Sequence, residues 1–292
     1  MPVLPRALFA GLIDDAAVFP PGNAPLDAAV AAHRRIRRSA NSDLIGPLLL
    51  PPNAIPAALD LAGLADLAGP DDGEVRDEQP LDIAIAARPG TPREDTEYAA
   101  QLAAADSRVV LRAVEVGWED GWERADLAAP VLVVELPRGT EQPLPLTDLA
   151  IARAERPDTQ WLAKFRTGAT DSWAWPTENE LARTIQNALA MDVPLKLTGG
   201  LHHAVRGRHT GEEHGVLNVL AAFAAARAGR SVPFLASVLA ERDLAVLVAA
   251  LTDLTPDQVS MLRADFPSYG CCDVLEPLAE LTALDLLTKD PS

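Results

Sequence analysis

Short apolar runs alternate with longer amphipathic stretches along most of the chain. Most of these runs are continuously apolar rather than alternating, which is typical of parallel strands buried on both faces. Seven of them are predicted strands: residues 8–13, 44–50, 81–87, 109–116, 131–136, 161–165 and 194–198. Helical spacing separates them, over residues 26–38, 55–67, 94–105, 147–154 and 178–191.

This sustained alternation predicts a parallel sheet with right-handed crossover connections. Seven or eight such units fit a closed (β/α)8 barrel of the TIM type better than an open doubly wound sheet. Residues 266–269 are the segment left to form the eighth strand. Before it, helical patterns cover residues 215–227, 235–251 and 255–264, and a last one follows at 274–287.

We therefore predict one barrel domain over residues 1–292 with two additions. Residues 202–264 form a helical insertion that enlarges the connection between strand 7 and the last strand. Residues 69–80 are rich in Asp and Glu, which predicts an acidic, exposed loop.

Charge and composition restrict the class of partner. The 292 residues carry 25 Lys and Arg against 42 Asp and Glu, a formal charge of −17 at pH 7. Nucleic acids and anionic membranes require a basic surface, so we expect neither as a partner. No apolar run reaches the length of a membrane span, and the N-terminus lacks the pattern of a signal peptide. We expect a cytoplasmic protein that acts on a small molecule, and a homo-oligomer is compatible with this composition.

Lysine is scarce, and two of the lysines end consecutive predicted strands. Only Lys164, Lys196 and Lys289 occur, although Arg is abundant. A guanidinium does not become a neutral nucleophile, so a lysine persists best where its amine is needed. Lys164 and Lys196 fall where TIM barrels have their active sites. Repulsion and desolvation predict that one of the two pKa values falls toward neutrality. The alternative is that each lysine pairs with a carboxylate or binds an anionic group.

Two segments around these lysines resemble the deoxyribose-phosphate aldolases. Residues 164–170, Lys-Phe-Arg-Thr-Gly-Ala-Thr, are similar to the strand-6 motif of that family. Residues 195–200, Leu-Lys-Leu-Thr-Gly-Gly, resemble its strand-7 motif. The resemblance covers about residues 161–200. It implies that Lys164 is the Schiff-base lysine, that Lys196 lowers its pKa, and that Gly199 and Gly200 contact a phosphate.

Three other segments have counterparts in the family. Asp14, with Pro20 and Pro21 downstream, is similar to the family's first strand. Cys271 and its neighbours stand where the family has a Gly-Ser-Ser phosphate turn. The family also carries an Asp and a further Lys on its middle strands, and in their place this chain has Arg112, Glu115 and Glu135.

The predicted reaction is therefore class I aldol chemistry on a small anionic carbonyl compound or a sugar phosphate, without a cofactor. Lys164 attacks the carbonyl, and an acid such as Asp14 or Glu135 moves protons. The predicted catalytic residues are Lys164, Lys196, Asp14, Glu135, His202 and His203. The predicted substrate ligands are Arg166, Thr167, Gly199, Gly200, Arg206 and Cys271.

A histidine cluster supports an alternative function. His202, His203, His209 and His214 lie close together in the sequence, with Glu212 and Glu213 among them. His and carboxylate at a strand end suit a lyase or hydrolase that uses a divalent metal, held here by His202, His203 and Asp14. Adjacent histidines on an extended segment point in opposite directions, so one of the pair would face the site. A third alternative is a barrel that binds an anionic metabolite without turning it over.

Overall fold

Eight strands and ten helices form the part of the chain that the computed structural model describes: residues 4–63, 79–88, 90–119, 122–124, 127–139, 143–171, 173–207 and 213–287. The strands are β1 (Ile13–Asp15), β2 (Ile45–Leu50), β3 (Leu81–Ala86), β4 (Val109–Gly117), β5 (Val131–Glu135), β6 (Gln160–Arg166), β7 (Leu195–Thr198) and β8 (Tyr269–Cys271). The helices are α1 (Leu26–Arg37), α2 (Ile55–Ala62), α3 (Arg93–Ala105), α4 (Pro143–Glu155), α5 (Glu178–Ala190), α6 (Val216–Arg227), α7 (Val232–Ala240), α8 (Leu244–Thr252), α9 (Pro256–Asp265) and α10 (Leu275–Ala283).

The strands close into a barrel in chain order. Each strand pairs in parallel with the next, and β8 pairs with β1. This confirms the predicted (β/α)8 barrel. Four helices, α6 to α9, lie between β7 and β8, so the enlarged helical region before the last strand is also confirmed.

The two shortest strands lie elsewhere than the sequence pattern predicted. The first strand was expected at residues 8–13 but occupies Ile13–Asp15, and Arg6–Leu8 forms a short 3-10 helix instead. The last was expected at 266–269 but occupies Tyr269–Cys271. Leu8, Leu12 and Phe266 are buried in the core without being in a strand. An apolar run in the sequence indicates that its residues are buried. Burial alone does not distinguish a strand from a packed turn.

The helical pattern over residues 235–251 is two helices rather than one. A carboxylate oxygen of Glu241 accepts hydrogen bonds from the backbone N–H groups of Arg242 and Asp243 at 2.8 and 2.9 Å. The Asp243 side chain then caps α8 by accepting from the N–H of Ala245 at 2.8 Å. Such local side-chain bonds satisfy the backbone outside a helix and therefore end one helix and start the next.

An apolar layer inside the barrel supports the functional end. It is formed by Ala16, Leu49, Ala84, Ala113, Val133 and Leu162. Ala113 and Leu162 lie two positions before Glu115 and Lys164, so each pair shares one face of its strand. The residues near the carboxyl ends of the strands therefore lie directly above this packed apolar layer.

None of the helices in the described part of the chain is long and apolar enough to span a membrane. Residues 69–78 of the predicted acidic loop lie outside the described residues. The extent of the domain over residues 1–292 stays a prediction.

Asn218 ties the helical region to the loop after β7. It is fully buried on α6, and its amide nitrogen donates to the carbonyl oxygens of Val238 and Glu241 at 2.9 and 2.8 Å. Its oxygen accepts from the backbone N–H of Arg206 at 2.8 Å. One side chain thus joins α6, the end of α7 and the loop that leaves the barrel.

Replacing Asn218 should therefore destabilise the barrel. We expect Asn218→Ala to lower the free energy of unfolding by about 2–4 kcal/mol, because it leaves buried backbone groups without partners. The matched control is Asn53→Ala at an exposed position, which should change it by less than about 0.5 kcal/mol. Urea denaturation measures both. Equal midpoints for the two variants would contradict this role for Asn218.

Candidate active site

The two lysines lie side by side inside the barrel mouth. Lys164 on β6 and Lys196 on β7 are register partners, and Glu135 on β5 is the partner of Lys164. Asp14 on β1 and Glu115 on β4 complete the group. Both lysines, Asp14 and Glu115 are each 4% exposed or less. The group occupies the carboxyl ends of the strands, where TIM-barrel enzymes have their active sites.

Glu115 bridges the two ammonium groups. Its Oε2 accepts a hydrogen bond from Nζ of Lys164 at 2.8 Å, and its Oε1 accepts one from Nζ of Lys196. Lys164 also pairs with Glu135 Oε2 at 2.8 Å, and Lys196 with Asp14 Oδ2 at 2.5 Å. We call these five side chains, Asp14, Glu115, Glu135, Lys164 and Lys196, the lysine–carboxylate cluster.

Two further groups close the cluster at its ends. The hydroxyl of Ser268 donates to Asp14 Oδ2 at 2.8 Å, and Nε of Arg166 donates to Glu135 Oε1 at 3.0 Å. With Arg166 the charges are three negative and three positive. The Arg166 side chain is 35% exposed, which makes it the cation of this group that is open to a ligand.

The carboxylates keep both lysines charged. Burial disfavours the ammonium form of Lys164, but the charges of Glu115 and Glu135 outweigh burial and raise its pKa. In the same way burial is outweighed by Asp14 and Glu115, and the pKa of Lys196 is raised. The prediction that repulsion lowers a lysine pKa is therefore wrong for this arrangement. The alternative that each lysine pairs with a carboxylate is confirmed.

The three carboxyl groups differ in their affinity for protons. Burial opposes ionisation of Glu115, yet Lys164 and Lys196 outweigh it and lower its pKa to about 2. The pKa of Glu135 is also lowered, because Lys164 and Arg166 outweigh its burial. For Asp14 burial is the stronger effect, and its pKa is raised despite Lys196. Asp14 is thus the carboxyl group of the cluster that most readily takes up a proton.

The backbone of β1 and β2 positions Asp14. Successive strand residues face opposite sides, so Asp14 points into the barrel and Asp15 points outward, where Oδ2 lies 3.0 Å from Nδ1 of His33. Gly46 on β2 leaves room for the Asp14 carboxylate, since a Cβ at this glycine would lie 1.9 Å from Oδ1.

The glycines after β7 have a conformational role. Gly199 and Gly200 both have a φ of 74°, a backbone conformation that residues other than glycine rarely adopt. A Cβ on Gly200 would also lie 2.7 Å from the ring of Trp175. The Thr167 hydroxyl donates to the carbonyl oxygen of Gly199 at 2.6 Å and so joins the loops after β6 and β7. The predicted contacts of Thr167, Gly199 and Gly200 with a substrate stay predictions.

Two arginines from the sequence analysis lie apart from the cluster. Arg206 is buried, and its guanidinium contacts Glu178 at 2.7 Å and Nδ1 of His214 at 2.9 Å. Arg112 is exposed and pairs with Asp82 at 2.7 Å. The protein's own side chains thus engage Arg206, and its predicted contact with a substrate stays a prediction.

The neighbouring histidines both contact the last helix. Nδ1 of His202 lies 2.6 Å from Glu276 Oε2, and Nδ1 of His203 lies 3.2 Å from Glu280 Oε2. The expectation that they point in opposite directions assumed an extended segment. It is wrong because the chain is not extended there: Leu201 has a φ of 62°, and a bend follows from His203 onward.

His202 also contacts both cysteines. Cys271 Sγ lies 3.7 Å from its Nδ1, and Cys272 Sγ lies 3.4 Å from its Nε2. Hydrogen bonding with these two thiols raises the pKa of His202 above its ordinary value. Burial raises the pKa of the Cys271 thiol.

The metal alternative gains no support from the donor groups. Among residues 4–63, 79–88, 90–119, 122–124, 127–139, 143–171, 173–207 and 213–287, no three His, Cys, Asp or Glu side chains are arranged to hold a metal ion. His209 and Glu212 of the predicted histidine cluster lie outside these ranges.

Two members of the site, Glu115 and Ser268, are not among the predicted catalytic residues or substrate ligands. Glu115 lies near the carboxyl end of a predicted middle strand, and an acidic residue at that position of a barrel indicates an active-site residue. Ser268 carries no such signal, because it precedes a strand of three residues that the pattern misplaced.

Removing the bridging carboxylate should be costly. We expect Glu115→Gln to lower the free energy of unfolding by about 3–5 kcal/mol, because two buried ammonium groups lose a shared counter-charge. Glu119→Gln, at an exposed position near the end of β4, is the control and should change it by less than about 0.5 kcal/mol. Urea denaturation compares them. A midpoint for Glu115→Gln equal to that of the control would show that Glu115 does not hold the lysines.

The same group sets part of the acid sensitivity. The pKa of Glu115 is about 2 in the folded chain against an ordinary value of 4.5, so the unfolded chain takes up this proton first as the pH falls. Stability from Glu115 is therefore present above about pH 4.5 and is lost toward pH 2. We expect Glu115→Gln to reduce the slope of unfolding free energy in this range by up to about 1.4 kcal/mol per pH unit. Identical slopes for the variant and the unaltered chain would refute the assignment.

Comparisons of this chain with protein-family models, with curated proteins and with solved structures found no match. The residues of the barrel mouth, and the closed eight-stranded barrel that brings them together, are therefore the features that bear on function.

Proposed function

We propose that the chain is a class I aldolase-type lyase that forms a Schiff base between Lys164 and a small carbonyl compound. The observation that carries this proposal is the position of Lys164 Nζ, which is buried and lies 2.8 Å from carboxylates of both Glu115 and Glu135. A second lysine stands beside it in register at the same end of the barrel. The resemblance of residues 164–170 and 195–200 to the deoxyribose-phosphate aldolases supports the same chemistry.

The amine must first lose a proton. Glu115 and Glu135 are poor final acceptors, because their pKa values are lowered. Asp14 is a better one, and hydrogen bonds connect it to Lys164 through Glu115 and Lys196. We infer that the proton leaves Lys164 through Glu115 and Lys196 and ends on Asp14. Lys196 is then a proton carrier, whereas its predicted role was to lower the pKa of Lys164 by repulsion.

The same carboxylates suit the intermediate. Attack of the neutral amine on the carbonyl carbon gives a carbinolamine. The proton held on Asp14 returns through the same hydrogen bonds to the carbinolamine hydroxyl, and loss of water leaves an iminium ion with one positive charge on nitrogen. That charge replaces the ammonium charge between Glu115 and Glu135, so the preorganised carboxylates stabilise it without rearrangement.

Carbon–carbon cleavage then requires a base near the iminium. In the cleavage direction Glu135 takes the proton of the β-hydroxyl group, the bond breaks to release an aldehyde, and the electron pair enters the iminium to give an enamine. Protonation of the enamine and addition of water release the second product and restore Lys164. Glu135 is 17% exposed, which leaves it open to a substrate at the barrel mouth.

Arg166 is the residue that best fits an anionic group on the substrate. Its guanidinium borders Glu135 and is partly exposed, whereas both lysines are buried among carboxylates. A guanidinium binds a carboxylate or phosphate with two parallel hydrogen bonds. The proposed substrate is therefore a small carbonyl compound with one anionic group.

Two other functions remain weaker candidates. A metal-dependent lyase or hydrolase lacks a suitable donor set within the described residues. A barrel that only binds an anion does not need the lysine–carboxylate cluster, whose three carboxylates already outnumber its two ammonium groups. Neither alternative accounts for a buried lysine held between two carboxylates.

Borohydride trapping tests the proposal. We expect sodium borohydride with acetaldehyde, pyruvate, dihydroxyacetone phosphate or a deoxypentose phosphate to leave a reduced adduct, read as a shift in intact mass. The adduct should disappear with Lys164→Arg, because a guanidinium does not form an imine. Lys196→Arg should slow trapping about 100-fold through loss of proton transfer.

The scarcity of lysine makes the result unambiguous. Only one further lysine exists, and Lys289→Arg is the matched control that should keep the adduct. Peptide mapping assigns the modified residue among the three. An adduct confined to Lys289 or to the N-terminal amine, or no adduct from any compound of the panel, would overturn the proposed function.

A further inference from the structure

A thiol, an imidazole and a carboxylate form a line at the rim of the barrel. Sγ of Cys272 lies 3.4 Å from Nε2 of His202, and Nδ1 of the same ring lies 2.6 Å from Oε2 of Glu276. The two ring nitrogens therefore have different partners. A nucleophile, a base and a group that orients the base stand in the order used by enzymes with an activated thiol or hydroxyl.

The carboxylate selects the orientation of the ring. Glu276 accepts the hydrogen on Nδ1, which leaves Nε2 to exchange a proton with the Cys272 thiol. The backbone N–H of His202 donates to a carboxylate oxygen of Glu213 at 2.5 Å, so the main chain is held as well. The His202 side chain is only 16% exposed.

The two adjacent cysteines differ in environment. Cys271 is the last residue of β8, is fully buried, and its thiol donates to the carbonyl oxygen of Asp273 at 3.2 Å. Cys272 is the first residue after the strand and is partly exposed. Of the two sulfur atoms, that of Cys272 is the one that a reagent from solution reaches.

The rim position places this thiol at the functional end of the barrel. Cys272 follows the carboxyl end of β8 and precedes α10, whose first turn carries Glu276. The loop after β1 approaches it closely, and a Cβ on Gly22 would lie 3.3 Å from the Cβ of Cys272. The resemblance to the aldolases implies a phosphate turn around Cys271 and Cys272, and nothing in the sequence pattern predicted a reactive thiol or a role for Glu276.

We propose that Cys272 is the nucleophile of a second reactive site, which takes activated acyl compounds such as esters and thioesters. The thiol passes its proton to Nε2 of His202, and the sulfur attacks the acyl carbon. The carbon–oxygen or carbon–sulfur bond of the leaving group breaks, and His202 returns the proton to that leaving group. An acyl thioester remains on Cys272, and water, deprotonated by His202, hydrolyses it to a carboxylic acid and the free thiol. Glu276 is a positioning residue.

This inference does not depend on the Schiff-base chemistry. Lys164 takes no part in it, and Cys272 takes no part in the proton path from Lys164 to Asp14. Acylation of the thiol and borohydride trapping of the lysine are measured on different peptides. Either proposal can therefore fail while the other holds.

The probe for this site is p-nitrophenyl acetate. We expect a burst of up to one equivalent of nitrophenolate and an acetyl group on Cys272, found by peptide mass analysis. Cys272→Ser should abolish this burst, and His202→Gln should slow it about 100-fold. Glu276→Ala should slow it about tenfold, and Glu276→Gln less, because an amide oxygen still accepts the hydrogen on Nδ1.

Matched measurements separate this role from a structural one. Asp257→Asn is the control, since Asp257 occupies the first turn of α9 as Glu276 does in α10, and its burst should equal that of the unaltered chain. Thermal unfolding of each variant shows whether it folds. A burst that is faster in Glu276→Gln than in Glu276→Ala is not expected if Glu276 only packs against its neighbours. An acetyl group on Cys271 or on lysine instead of Cys272, or an unchanged rate in His202→Gln, would overturn the proposal.

Discussion

The arrangement of the barrel mouth depends on one carboxylate shared by two ammonium groups. Glu115 receives hydrogen bonds from Lys164 on one oxygen and from Lys196 on the other. Two buried charges of the same sign at register positions would repel each other in a region of low dielectric constant. The shared carboxylate, with Asp14 and Glu135 at the flanks, offsets that repulsion, and with Arg166 the array carries three negative and three positive charges. Barrel closure makes this possible, since it brings β1, β4, β5, β6 and β7 to one opening.

That balance has consequences for chemistry. A site that stabilises an ammonium group also stabilises an iminium ion at the same nitrogen, because the charge and its location are unchanged. The cost is that the amine is protonated at rest, so a proton acceptor is required before attack. Asp14, whose pKa burial raises, fills this need at the far end of the hydrogen-bonded chain. Nucleophile, carrier and acceptor therefore belong to one connected network rather than to separate residues.

Much of the architecture was predictable from the sequence, and the reasons are physical. Strands buried on both faces must be apolar throughout, so β2 to β7 stand out as runs between helical patterns. The rarity of lysine drew attention to Lys164 and Lys196. In contrast, β1 and β8 have three residues each, too few for a pattern to mark them among other buried apolar segments.

The partners of the lysines could not be predicted in the same way. Whether Lys196 meets another cation or a carboxylate depends on which side chains of distant strands reach it, and Glu115 is separated from it by two intervening strands. Backbone geometry is equally hidden, since the turn at Leu201 that directs His202 toward the last helix rests on a φ of 62°. Neither a contact across the barrel nor an unusual dihedral angle produces a local pattern of apolar and polar residues, so neither can be predicted from the sequence.

The most direct test of the central claim is the 15N NMR spectrum of the protein labelled at lysine Nζ. Three lysines give three assignable signals, with Lys164→Arg and Lys196→Arg as assignment variants. We expect both buried lysines to be ammonium groups from neutral pH to above the ordinary lysine pKa. Addition, without borohydride, of a carbonyl compound that gives the reduced adduct should move the Lys164 signal alone to the imine region. A neutral amine for either buried lysine at pH 7, or an imine on any other lysine, would contradict the account.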